Sequence, residues 1–201
     1  MLVELVQDHS RLILIDQGFQ DFGQFEAAVD DWNLDFILLS KGGFDANLHY
    51  SAINNCVLGK ATFHCRLEQR GEAPKGMRTF VVPASDRVSY HWRRRHITGS
   101  TLQLFPKNGE LFSVSGKNFS CYIISFPERH FQEAAKSVGY VLQGAKCEKA
   151  FVWEEKESDV LNLRNWCSLY QQGFIDKNDT LLQMLISSFA FSEKVDKQAH
   201  N

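Results

Sequence analysis

The chain has 201 residues, 44% of them hydrophobic, and a net charge of −2. That length suits one domain, or one domain with an appended helical part, and 44% is enough apolar material for a core. A balance so near zero excludes a general nucleic-acid binder held by phosphate contacts alone. No apolar run approaches the roughly 18 residues of a membrane span, and no basic flank followed by an apolar stretch marks a secretory leader.

The five cysteines (Cys56, Cys65, Cys121, Cys147, Cys167) are odd in number, with no pair at Cys-x-x-Cys spacing. They read as buried free thiols in a reducing cytoplasm.

Residues 12–15, Leu-Ile-Leu-Ile, read as a strand. Over Asp21–Trp32, Phe22, Phe25, Ala28, Val29 and Trp32 fall at helical spacing, with acids on the other side. From Leu34 to Phe126 the pattern becomes short strands between turns: Asp35–Leu39, Ala46–Ile53, Cys56–Cys65, Arg78–Val82, Ser89–Ile97, Thr101–Phe105, Leu111–Val114 and Ser120–Ser125. Such spacing predicts a sandwich or barrel. Asn54-Asn55 suits a two-residue hairpin turn. Pro127 suits the first position of a helix that Gly139 stops. A strand at Ala150–Trp153 follows, then a helix at Ser158–Gly173 capped by Ser158, then a helix at Asp179–Glu193. In the last of these, Leu181, Leu182, Leu185, Ile186 and Phe189 should face inward. The predicted class is α+β, a β-barrel or double sheet followed by helices.

Charge is laid out unevenly. Residues 1–59 carry −7, residues 60–100 carry +6, residues 101–150 carry +2 and residues 151–201 carry −3. The stretch Lys60–His96 holds nine Lys or Arg against three acids. Such a segment binds an anion or is neutralised by acidic neighbours. Arg66 and Arg70 stand four apart; on a strand they share a side, about 13 Å from each other. Arginine's planar fork suits phosphate and carboxylate. In Arg93-Arg94-Arg95, a continuous strand puts Tyr90, Trp92 and Arg94 on one side and His91, Arg93 and Arg95 on the other. Trp92 could then stack on a ring while the arginines hold phosphates. The competing reading is an edge strand guarded by charge.

His49, His64, His91 and His96 include no His-x-His pair, so a metal site needs ligands from separate strands. No Gly-x-Ser-x-Gly elbow, phosphate-binding glycine loop or Cys–His–acid order supports nucleophilic catalysis.

The run Gln69-Arg70-Gly71-Glu72-Ala73-Pro74-Lys75-Gly76-Met77-Arg78-Thr79-Phe80 resembles a signature in the amino-terminal half of one group of AraC-type bacterial transcription regulators. Gly42-Gly43-Phe44 and Ser125-Phe126-Pro127-Glu128-Arg129-His130-Phe131 agree with it. The resemblance spans roughly residues 20–190. It implies a cupin-like effector-binding β domain over residues 1–153 and a helical dimerisation or linker segment over 154–201. The carboxy-terminal helix-turn-helix part of such regulators, which carries DNA binding, is not found in this sequence. The Arg66-x-x-x-Arg70 spacing also resembles the cyclic-di-GMP-binding element of PilZ domains.

The expectation is a cytoplasmic, homodimeric, non-enzymatic sensing domain without cofactor or metal. It takes a small anionic ligand, cyclic-di-GMP being the sharpest candidate, at Arg66, Arg70, Arg78, Trp92, Arg93 and Arg95. Its rivals are a metal-dependent cupin enzyme and a ligand-free protein-interaction module.

Overall fold

The computed structural model describes residues 12–29, 34–53, 56–106, 110–140, 151–174 and 180–189. Twelve strands and four helices occupy them. In chain order they are β1 (Leu12–Phe19), α1 (Phe22–Ala28), β2 (Leu34–Leu38), β3 (Ala46–Ile53), β4 (Cys56–Phe63), β5 (Leu67–Glu72), β6 (Met77–Pro83), β7 (Tyr90–Trp92), β8 (Arg95–Ile97), β9 (Thr101–Leu104), β10 (Glu110–Ser115), β11 (Phe119–Pro127), α2 (Glu128–Ser137), β12 (Phe151–Glu154) and α3 (Glu157–Gln171), followed by a helix over residues 180–189.

The strands form two antiparallel sheets. The larger has the order β1-β3-β4-β11-β6-β9-β12 and the smaller β2-β5-β10-β7-β8. The fold class is the expected one: α+β, a double sheet with helices.

The middle strands of the large sheet, β4, β11, β6 and β9, are buried on both faces and are mostly apolar, whereas β1 at one edge is mostly exposed. In β6, Val81 points between the sheets while Phe80 and Val82 point to the helices. In β11, Phe119 and Cys121 point inward while Tyr122, Ile124 and Phe126 point outward. The inner core joins the two sheets and α1. The outer core joins the large sheet to α2, α3 and the helix over 180–189, where Leu181, Leu182, Leu185, Ile186 and Phe189 are fully buried.

Polar contacts fix the helices to that outer face. Arg164 of α3 donates to Pro83 O at 2.8 Å and Gly99 O at 2.6 Å. Trp153 Nε1 donates to Ser188 Oγ at 2.8 Å. Arg78 of β6 lies under α2 and makes two hydrogen bonds to Glu128, both 2.9 Å, with its guanidinium 5.0 Å from the Phe131 ring centre.

Several boundaries differ from the sequence-based expectation. Helix α1 is capped by Asp21, whose Oδ1 accepts from Gln24 N–H at 2.9 Å, and runs to Ala28; residues 30–33 lie outside the described set, as do Asn54-Asn55 and Cys147. The register pair Ile53↔Cys56 nonetheless leaves a two-residue connection at 54–55. Pro127 ends β11 and stands as the N-cap of α2, one place before the expected position. Ser158 does not cap α3. The helix starts at Glu157 behind Lys156, and the first-turn acids Glu157 and Asp159 complement its dipole instead. Strand β5 falls in the arginine stretch, where the sequence pattern marks no strand.

The largest difference is at Ser89–Ile97, which is two strands. The chain reverses at Arg93 (φ 47°) and Arg94 (φ 67°), so that Trp92 pairs with Arg95 and His91 with His96. Two consecutive left-handed residues make the type I′ geometry that hairpins favour. It costs non-glycine residues about 1–2 kcal/mol each. Burial of the Tyr90 and Trp92 rings outweighs this, at roughly 4–6 kcal/mol gross per ring.

Glu128→Gln should lower stability by about 3 kcal/mol, because it leaves a buried guanidinium facing a neutral amide. Adding Arg78→Met should restore most of the loss. Urea denaturation of the single and double variants measures both; a Glu128→Gln change under about 0.5 kcal/mol would contradict this account of the pair.

Candidate functional site

The inner faces of the two sheets enclose a cavity of ≈ 60 Å³. Its floor is the large sheet: Leu48 and Tyr50 of β3, Ala61 and Phe63 of β4, Val81 of β6 and Cys121 of β11. Gln69 of β5, Leu111 and Ser113 of β10, and Tyr90 and Trp92 of β7 form the roof. Phe25 of α1 closes one side, packed on Phe36, Phe44 and Phe63 at centroid distances of 4.8–5.6 Å. Gly59 sits opposite Tyr50 in the β3–β4 ladder. A Cβ there would lie 2.3 Å from the Tyr50 ring, so glycine is what lets that ring lie flat.

Polar groups in this cavity are few and oriented. Tyr90 and Trp92, two apart on β7, both point inward. Trp92 stacks on Phe105, with centroids 6.1 Å apart and planes at 14°. Gln103 lies two residues before Phe105, on the same inner face of the opposing sheet. Tyr90 is 4% exposed, Trp92 2% and Gln103 1%. Among the described residues, no protein group bonds the Tyr90 hydroxyl, Trp92 Nε1 or Gln103 Nε2. An unpaired buried donor costs about 1–3 kcal/mol, so three together cost several, against a usual domain stability of about 5–15 kcal/mol. Ser113 Oγ, by contrast, donates to Gln69 Oε1 at 3.4 Å.

The cavity is also uncharged. No Lys, Arg, His, Asp or Glu lines it among the described residues. Burial pushes Cys121 up to about 12 and raises both Tyr50 and Tyr90 well above the usual phenol value. All three stay neutral at physiological pH. Cys56 and Cys167 in the outer core are likewise raised by burial, and the four described cysteines are free and buried.

The expected arginine site is only partly assembled. Arg78 does not belong to it: it is 2% exposed, on the opposite face of the large sheet, and held by Glu128. Trp92 faces the cavity, so its ring is not presented to solvent beside the arginines. Its side toward them is covered by Arg93, 5.7 Å from ring centre. Arg66 and Arg70 do share the outer face of the small sheet, since Leu67 and Gln69 between them point inward. Arg70 is paired with Glu68 at 2.6 Å and lies over Phe112 at 5.2 Å. Phe112 is opposite Arg70 on one side, and its carbonyl accepts from Arg93 N–H on the other. Arg70 and Arg93 therefore flank Phe112 with backbones roughly 10 Å apart, two strand spacings. Arg66, Arg94 and Arg95 are exposed.

His91 and His96 face each other across the β7–β8 hairpin with ring centres 5.4 Å apart, while His49 and His64 lie apart from them. His49 meets Asp16 at 3.1 Å, His64 meets Asn118 at 3.0 Å, and His96 meets Ser89 at 2.8 Å. No group of three His, Cys, Asp or Glu suited to a metal occurs among the described residues.

Sequence reasoning placed Tyr90 and Trp92 on one side of a strand but did not single out Gln103. A signal for it existed: a glutamine between Leu102 and Leu104 in a strand buried on both faces needs a partner.

No protein-family profile matches the chain, and no curated protein does. Solved structures do. The AraC-like transcriptional activator CuxR aligns over 87% of this chain and 69% of its own, at 12% identity and a TM-score of 0.60. This chain has the fold of the aligned part of CuxR. ToxT from Vibrio cholerae aligns over 84% of this chain and 56% of its own, at 16% identity and a TM-score of 0.44. Ylba from E. coli aligns over 63% and 54%, at 11% identity and a TM-score of 0.37. The match to CuxR agrees with the resemblance carried by Gln69–Phe80 and with the cupin-like double sheet it implied.

Proposed function

We propose that this chain is the effector-sensing and dimerising part of an AraC-type transcription regulator, with a small effector bound between the two sheets. The observation that carries this reading is the cavity itself, lined by three buried donors that no described protein group satisfies. The floor of that cavity is the same sheet whose other face holds the helices. In β6, Phe80 and Val82 touch the helical layer while Val81 between them touches the cavity. An effector that binds one arrangement of the inner face better than another thereby biases the helices, in proportion to its differential affinity.

In this reading residues 1–153 sense and residues 154–201 dimerise. The protein is cytoplasmic, it is not an enzyme, and DNA is contacted through a helix-turn-helix part outside this sequence. Dimerisation is supported by Leu161 and Leu169, 51% and 40% exposed on the side of α3 away from the sheet.

A second reading, anion binding on the small sheet, rests on a different observation. Arg93 and Arg94 occupy left-handed turn positions where Asn-Gly would be unstrained. Backbone strain retained at exposed arginines points to a use for them. Cyclic-di-GMP across Arg66, Arg70, Arg93 and Arg95, with Phe112 as a stacking surface, is the specific form of this reading.

Two experiments separate the readings. A thermal-shift screen of small metabolites should yield compounds that raise the midpoint of the unmutated chain but not of Ala61→Leu, which fills the cavity. Compounds that stabilise both equally would place the site elsewhere. Calorimetry with cyclic-di-GMP should show binding that Arg66→Ala with Arg70→Ala abolishes, and that Arg93→Asn with Arg94→Gly weakens while raising stability by about 1–2 kcal/mol; no heat from the unmutated chain removes the cyclic-di-GMP reading.

A further inference from the structure

The inter-sheet cavity differs in character from the arginine-rich segment that dominates the sequence. The arginines lie outside the double sheet or under α2, and none lines the cavity. What lines it is aromatic and aliphatic, with the polar atoms of Tyr90, Trp92 and Gln103 as unmatched donors. We propose that the cavity selects an uncharged, largely apolar molecule with one aromatic ring and a carbonyl-type acceptor, held by Tyr90 Oη, Trp92 Nε1 and Gln103 Nε2. This rests on the reading that the cavity is the effector site and adds to it the chemical class of the ligand.

At ≈ 60 Å³ the cavity is smaller than the roughly 150 Å³ of a dry apolar cavity that takes a single ring, so a one-ring molecule enters only as lining side chains move apart.

Charge is decided by desolvation. An ionised carboxylate loses far more on leaving water for a low-dielectric interior than a neutral carbonyl does, and hydrogen bonds alone offset only part of that loss. The Arg93 guanidinium lies over the Trp92 ring, 5.7 Å from its centre, and does not itself line the cavity. A carbonyl meets the same three donors, and each satisfied donor removes the penalty that donor bears in the empty site. A hydrocarbon of equal size pays no desolvation cost but leaves all three donors unsatisfied. The lining groups Tyr50, Tyr90 and Cys121 are themselves kept neutral by burial, so no lining group supplies a charge near neutral pH.

Acceptor position follows from the geometry. Trp92 stacks on Phe105, and Gln103 stands two residues before Phe105 on the same inner face, about 7 Å along the strand, so both line the same end of the cavity. Tyr90 is beside Trp92 on β7 and packs edge-on to Phe119 at 4.7 Å. The acceptor belongs at the β7–β9 end, and the ring toward Leu48, Ala61 and Leu111.

Three probes matched in size test the class: acetophenone, benzoate and isopropylbenzene, titrated calorimetrically into the full chain at neutral pH. Acetophenone should bind about tenfold tighter than benzoate and severalfold tighter than isopropylbenzene. Gln103→Leu and Tyr90→Phe should each weaken acetophenone severalfold while leaving isopropylbenzene unchanged or slightly tighter. Tyr90→Phe should also hold or raise the thermal midpoint of the free protein, since it deletes an unpaired hydroxyl; this readout confirms that the variant folds. Benzoate binding as tightly as acetophenone would overturn the ligand class and leave the cavity as the site. Failure of all three to bind would overturn both, as would Tyr90→Phe lowering the midpoint with acetophenone affinity intact.

Discussion

A sheet whose middle strands are buried on both faces governs this molecule. Consecutive residues along β4, β6, β9 and β11 belong alternately to an inner core facing the small sheet and an outer core facing the helices. Side chains in a strand alternate with a period of two, so neither core can be repacked without moving backbone that the other also uses. Close packing makes that linkage stiff. A binding event on one face then has a short physical route to the other, with no need for a chain of contacts across a whole domain. The small sheet lacks this property: its outer face is open to solvent and carries exposed Ile37 beside Arg66 and Arg70.

The arginine segment divides along the same line. Arg78, on the outer face of the large sheet, is part of the structure, neutralised by a carboxylate fifty residues later. Arg66, Arg70, Arg93, Arg94 and Arg95 belong to the small sheet or its hairpin tip, where solvent screens them and one pair, Arg70–Glu68, contributes little. A charge excess in sequence was therefore two things in space. One part closes the helix layer, and the other decorates a sheet with no described layer over it.

Much of the fold was legible because apolar periodicity reports burial directly. Strand β3 spans Ala46–Ile53 as read from its alternation, and the inward residues of the helix over 180–189 are those its spacing selected. Strand β5 was not legible: Leu67-Glu-Gln-Arg-Gly-Glu has one apolar residue, because its outer face meets water and its inner face places Gln69 at the cavity. The Arg93-Arg94 turn was hidden for another reason, since arginine gives no signal for left-handed backbone and Tyr90–Ile97 reads equally well as one strand. The pairing of Arg78 depends on Glu128, which no local pattern connects to it. The donor cluster was half visible, in Tyr90 and Trp92; Gln103 comes from the other sheet, and only the closing of the two sheets brings it near.

The direct test of the two-faced sheet uses amide hydrogen exchange, which reports local opening along the chain. Ala61 lies on the cavity floor, with the outer-core residue Leu58 on the same strand. Ala61→Leu stands in for an occupant and contacts no helix of the outer layer. If the sheet links the two cores, this variant changes protection in α3 and in the helix over 180–189 as well as in β4, β6 and β11. A change confined to the inner strands and the small sheet, with both helices exchanging as before, would contradict the account.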